Sequence, residues 1–112
     1  MITESYMDGG DIYIIKIGQN KTDNWSLLDS SNPDNIWFHV SGAPSAYVVL
    51  DTVCNIKVVP KRVIYRCAIL CKMRSKSSNE RNCNVNYTYV KHVTKGENEG
   101  EAIMSKVKII RV

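Results

Sequence analysis

Asn35-Ile36-Trp37-Phe38-His39-Val40-Ser41-Gly42-Ala43-Pro44-Ser45-Ala46-Tyr47-Val48-Val49-Leu50 is the stretch on which the fold turns. Two apolar runs, Ile36 to Val40 and Ala46 to Leu50, flank the turn signal Gly42-Ala43-Pro44, so a β-hairpin is predicted here. Side chains in a strand alternate faces, which sends Ile36, Phe38 and Val40 one way and Trp37 and His39 the other. The first face suits a core. The second admits two readings. Either Trp37 and His39 cover a second apolar layer, the commoner fate of large aromatic residues, or the indole and imidazole together stack on and hydrogen-bond a planar ligand.

Outward from the hairpin, Ile12 to Ile17 is a β-rich run apolar on both faces, as in an internal strand. Met1 to Tyr6 is a short strand or a lead-in to it. Gly18-Gln19-Asn20-Lys21 is a turn, and Thr22 or Asp23 is placed to cap a short helix through Trp25, Leu27 and Leu28 that Pro33 brings to a stop. Pro60 opens the main helix, where its missing N–H costs nothing. At ~100° per residue, Val63, Ile64, Cys67, Ala68, Leu70 and Cys71 share one side. Lys61, Arg62, Tyr65, Arg66, Lys72 and Lys76 share the other, within about 140°, with Ile69 and Met73 among them. Arg74 falls on the apolar side, where the helix is ending. A polar connection, Ser75 to Asn82, leads to a long strand from Asn84 to Lys95, an acidic turn to Glu101, and a closing strand from Val107 to Val112. The fold class is therefore α+β, one domain spanning residues 1–112. A mixed, mostly antiparallel sheet carries one main amphipathic helix packed on it and a short second helix.

The net charge of +4 hides an asymmetry. Residues 1–51 hold two lysines and seven carboxylates, while residues 52–112 hold thirteen Lys or Arg and four carboxylates. No carboxylate lies between Lys57 and Asn79. A one-signed block of this kind points to a polyanionic partner; a surface tuned for solubility is the plainer alternative. A membrane surface fits poorly, because the basic stretch lacks the bulky exposed apolar face that such helices need. No run approaches the roughly 18 apolar residues of a membrane span, and Met1 to Gly10 is acidic, unlike a signal peptide. A cytoplasmic protein is expected.

Catalytic signatures are sparse. The chain has no Gly-rich phosphate loop, no nucleophile elbow and no His-Glu-x-x-His. Cys54, Cys67, Cys71 and Cys83 lack a Cys-x-x-Cys knuckle, so buried free thiols explain them better than zinc or disulfides. No cofactor, metal or catalytic residue is assigned. The alternative is an RNA-processing or base-modifying enzyme working through His39.

The same residues carry a resemblance. The hairpin is similar to the RNA-binding module of the NFACT family, whose signature runs acidic-x-Trp-x-His, then a Pro-led turn, a histidine and a strand. Gly10 to Asn20 followed by Asn24 resembles that family's opening strand and Gly-x-Asn turn. Tyr87-Thr88-Tyr89-Val90-Lys91-His92-Val93-Thr94-Lys95, with Gly100 after it, resembles its Tyr-Thr-x-Val-Lys strand, and Ser75-Lys76 also fits. Two positions depart from the pattern: Asn35 replaces the acidic residue and Tyr47 the histidine. Together they remove the groups best able to do acid–base chemistry, while Tyr47 keeps a ring and a hydroxyl.

The resemblance implies an RNA partner, with tRNA or another structured RNA as the expected class. In larger NFACT proteins the module is joined to a glycosylase-like domain and a coiled coil. There it engages tRNA on the large ribosomal subunit during ribosome-associated quality control. This chain reads as the module alone, so ribosome docking is not carried over by default. The expected mechanism has two parts. Lys61, Arg62, Arg66, Lys72 and Lys76, with Lys91 and Lys95, hold phosphates, while Trp37, His39 and Tyr47 contact a base or ribose.

Overall fold

A computed structural model describes residues 1–112. Its strands are β1 (Ile2–Asp8), β2 (Asp11–Ile17), β3 (Ile36–Val40), β4 (Val48–Asp51), β5 (Asn84–Tyr89), β6 (Val93–Lys95), β7 (Ala102–Met104) and β8 (Lys108–Arg111). Its helices are α1 (Lys21–Ser30) and α2 (Lys61–Met73), with single 3-10 turns at Ile56–Val58 and Val90–His92. Six strands form one sheet in the order β1-β2-β4-β3-β5-β8, and β6 and β7 form a separate ribbon. Every pairing is antiparallel. The α+β class with one main helix on an antiparallel sheet is thus the architecture observed. No helix is long and apolar enough to cross a membrane.

The hairpin sits at the sheet's centre. β3 pairs with β4 on one side, with Ile36 opposite Leu50, and with β5 on the other, with Ile36 opposite Tyr89. Ile36, Phe38, Val40, Val48 and Leu50 face α2 and pack on Val63, Ile64, Cys67, Ala68 and Cys71 in the larger core. The opposite face is also covered. Trp37, Tyr47 and Val49 pack there against Leu27 and Leu28 of α1, with Val90 of the 3-10 turn and Val93, Ala102 and Met104 of the β6–β7 ribbon. The sheet is therefore the middle of three layers.

Several boundaries differ from the sequence expectation, each for a local reason. Asn20, rather than Thr22 or Asp23, caps α1, its side chain accepting from the Asp23 N–H at 2.8 Å. Asp23 in turn accepts from the Gln19 N–H at 2.8 Å, so the residue expected at the cap serves the third helical position instead. The long strand predicted from Asn84 to Lys95 breaks after Tyr89. Val90 N–H donates to Asn35 O at 2.9 Å and Lys91 N–H to Pro33 O at 3.0 Å, which turns the chain out of the main sheet. Val93 to Lys95 then pairs with β7, a strand not anticipated, and folds back over Trp37. Finally, α2 stops at Met73, leaving Lys76 in the following turn.

Trp37 has no exposed surface, and its indole Nε1 meets no acceptor, so packing alone holds the ring. Trp37→Ala should cost about 3–5 kcal/mol through lost burial and the cavity left behind. Urea denaturation followed by circular dichroism measures this. A loss under ~1 kcal/mol would mean that the layer collapses around the gap and that the indole is dispensable.

Candidate nucleic-acid interface

The expected cationic face of α2 is built, but much of its charge is spent within the molecule. Edge strand β1 alternates, with Ile2, Glu4, Tyr6 and Asp8 turned toward the helix. Asp8 Oδ1 accepts from Arg62 Nε at 2.7 Å, and Glu4 Oε1 accepts from Arg66 at 2.6 Å. Lys72 is half-buried and donates to Val112 O at 3.2 Å, closing the last strand. Lys91 pairs with Asp34 at 3.0 Å and lies over the Tyr89 ring; Lys95 pairs with Asp29 at 2.7 Å and lies over Trp25. The carboxylates of the first half thus serve as internal counter-charges for the basic second half. A ladder of free cations along α2 is not what forms.

Six of the unpaired cations gather at the two ends of α2 instead. At its start, Lys57, Lys61 and Lys108 line a cleft with Ile56, Tyr87 and Ile109. At its end, Lys21, Arg74 and Lys76 line a groove with Gly18, Asn20 and Pro44, and no carboxylate borders it. Thirteen helical residues separate these ends, about 18 Å at the usual rise. Sequence reasoning missed Lys21, Arg74, Lys57 and Lys108. Lys21 belongs to the acidic half, and Arg74 plots on the apolar side only if the helix continues, whereas it is the C-cap.

The three residues expected to contact a base part company. Trp37 and Tyr47 are fully enclosed and have no face left for stacking on a ligand, which corrects that expectation. The indole stacks on His39 itself, centroids 5.7 Å apart and planes 2° from parallel, while Tyr47 meets both rings edge-on. Tyr47 donates its hydroxyl to Gly100 O at 2.6 Å, which ties the β6–β7 loop to the sheet. His39, at the outer end of this stack, is half-buried and opens on a second groove.

That second groove adjoins the first. Lys21, Asn24, Pro44 and Ser45 border both, and the new one continues past His39 to Glu99, Glu101 and Met104. Its wall is tied in place: Trp25 Nε1 donates to Glu101 O at 3.0 Å, beside the Tyr47 bond to Gly100. Asn35, at the position where the family motif is acidic, lies away from this opening. Its Nδ2 donates to Thr52 O at 3.1 Å and its Oδ1 accepts from Asn32 N–H at 3.1 Å, so it works as a buried structural tie. No three His, Cys, Asp or Glu side chains converge as a metal site would need, and the four cysteines are free, with only Cys54 exposed. Burial lifts the Cys71 thiol to about 12, so it stays protonated and inert.

Comparison with known proteins places this geometry. The family model described as NFACT protein RNA binding domain matches residues 4–106. Coiled-coil domain-containing protein 25 of Mus musculus is 38% identical over 79 residues, covering 69% of this chain and 38% of that protein. The Bos taurus protein of the same name matches to the same extent, and the Danio rerio one is 34% identical. The chain thus spans well under half the length of these relatives. Among solved structures, the C-terminal part of the fibronectin/fibrinogen-binding protein from Streptococcus suis superposes with a TM-score of 0.85. It is 24% identical, and the match covers 100% of this chain and 45% of that one, a likeness of fold.

Burial holds the His39 pKa below the ordinary 6.5, with the Val40 backbone offsetting part of the effect. A histidine depressed in the folded state stays neutral there while the unfolded chain takes up a proton. Stability should therefore fall as pH drops below about 6.5, and keep falling until the folded-state pKa is reached. His39→Gln should flatten this dependence between about pH 7 and 5.5, read as the denaturant midpoint at each pH. An unchanged slope in the variant would assign the effect to another group.

Proposed function

The chain belongs to the NFACT RNA-binding domain family, and from that premise we propose that it binds structured RNA of the tRNA class through the acid-free groove at the end of α2. RNA binding is the general role of the family. The feature that supports this site is the convergence of Lys21, Arg74 and Lys76 without a carboxylate, in a fold that pairs Lys16, Arg62, Arg66, Lys91 and Lys95 with carboxylates of its own. A phosphate run gains most from charges that have no internal partner, because binding there breaks no existing ion pair.

The start of α1 strengthens the site. Asn20 and Lys21 at its N-terminus line the same groove, so the positive end of the α1 dipole lies beside it. The lysine cleft at the far end of α2, with Lys57, Lys61 and Lys108, gives a second phosphate contact. The separation of the two suits a folded RNA whose backbone passes both ends of the helix. A cytoplasmic location completes the reading.

Fluorescence anisotropy with tRNA, single-stranded RNA and duplex DNA over a salt series tests it. Binding should weaken steeply with salt, and Arg74→Ala/Lys76→Ala should lower the slope of log K against log salt by about two. Arg62→Ala should leave the slope within about half a unit, since its guanidinium already has Asp8. If Arg62→Ala weakens binding and the double variant does not, the footprint lies on the face of α2 and the groove is not the site.

A further inference from the structure

The two adjoining grooves have opposite charge, and one buried side chain joins them. Asn24 is 6% exposed, yet it borders both grooves. Its Oδ1 is fixed by the Tyr47 N–H at 3.0 Å, which settles the orientation of the amide. The Nδ2 is thereby turned the other way, and it donates to no group of the protein. It also escapes full enclosure, since the occluded unpaired side-chain atoms belong to Glu4, Trp37 and Arg66. A nearly buried amide that leaves its two N–H donors unused is costly unless something in the groove accepts from them.

Gly18 shows how tightly this amide is seated. A Cβ at position 18 would lie 2.1 Å from Asn24 Oδ1, so glycine is required for Asn24 to occupy its place. The loop tied down by Tyr47 and Trp25 adds Glu99 and Glu101 to the lining of the second groove. Glu101 accepts from Asn98 Nδ2, while Glu99 has no partner within the protein. Carboxylates beside a phosphate-binding groove repel the backbone, so the phosphate belongs at the Lys21–Arg74–Lys76 end. What fits between a fixed amide donor and a pair of acceptors is the edge of a base. Guanine presents two adjacent N–H donors, which a carboxylate takes in a fork, beside an O6 acceptor for the amide. Uracil has a single N–H and cannot fill the fork.

We propose, resting on the RNA-binding reading above, that this groove holds one unpaired base, guanine by preference, with its O6 on Asn24 Nδ2 and its N–H edge on Glu99 or Glu101. The adjoining phosphate lies on Lys21, Arg74 and Lys76. Recognition here is by the base edge, since the rings of Trp37 and Tyr47 are enclosed.

Four RNA hairpins that differ only in one unpaired loop base, G, A, C or U, test this against 15N-labelled protein. The G hairpin should bind about tenfold more tightly than the U hairpin, in the range of one good bidentate contact, and should move the Asn24 side-chain NH2 resonances most. Glu99→Gln/Glu101→Gln, an exposed change with little bearing on folding, should raise affinity for the U hairpin by relieving repulsion and shrink the G-to-U ratio toward one. Equal affinities for the four hairpins in the wild type, or unmoved Asn24 resonances on binding G, would overturn the base pocket and leave RNA binding standing. Absence of binding by every hairpin, and by tRNA in the salt series, would overturn both readings together.

Discussion

Burial of β3 on both faces is the constraint from which the rest of the molecule follows. Ile36, Phe38 and Val40 need one apolar partner layer and Trp37 needs another, so the sheet cannot leave either side to water. α2 meets the first demand. The second is met by a composite of α1 and the β6–β7 ribbon, and it is this layer that gives the chain its unusual path. The break after Tyr89, the turn back at Gly96 and the tie from Tyr47 to Gly100 all serve to bring the ribbon over Trp37. Removing that ring would relax the reason for each of them.

Charge is arranged by the same topology. β1 is an edge strand whose alternation directs Glu4 and Asp8 at α2, one helical turn apart on its partners Arg66 and Arg62. Ion pairs at a protein surface add little to stability, typically about 0–1 kcal/mol each. Their larger effect is selective. By matching the basic face pair by pair, they leave the free positive potential concentrated at the helix ends, where Lys21, Arg74 and Lys76 converge. A chain with an unusually one-sided charge distribution in sequence thereby acquires a localised anion site in space.

The two departures from the NFACT motif have a structural meaning in this light. Asn35 must donate as well as accept, which a carboxylate at neutral pH cannot do, because its partner on one side is the Thr52 carbonyl. Tyr47 reaches farther than an imidazole and fixes both the Gly100 carbonyl through its hydroxyl and Asn24 through its own backbone. Positions that read as lost chemistry are structural ties, Asn35 within the core and Tyr47 at the wall of the groove.

Much of this was legible in the residues. The hairpin, the internal character of β2, the buried side of α2 and the α+β class follow from periodicity, since a face that is apolar at period 2 or 3.6 has one stable disposition. The plainer reading of Trp37, a cover for a second apolar layer, was also open from the start, and burial decided for it. The site was less legible. Lys61, Arg62, Arg66, Lys72, Lys91 and Lys95 look equivalent to Lys76 in a list of charges, and only the fold reveals which have been matched by Asp8, Glu4, Asp34 and Asp29 or by a carbonyl. Asn24 entered the sequence reading only as part of the resemblance in the opening segment, with no role attached. Local sequence fixes which side of an element meets water, because that depends on neighbours a few residues away. Which cations stay free, and which amide is left facing a groove, depends on partners tens of residues distant, and tertiary structure alone brings those together.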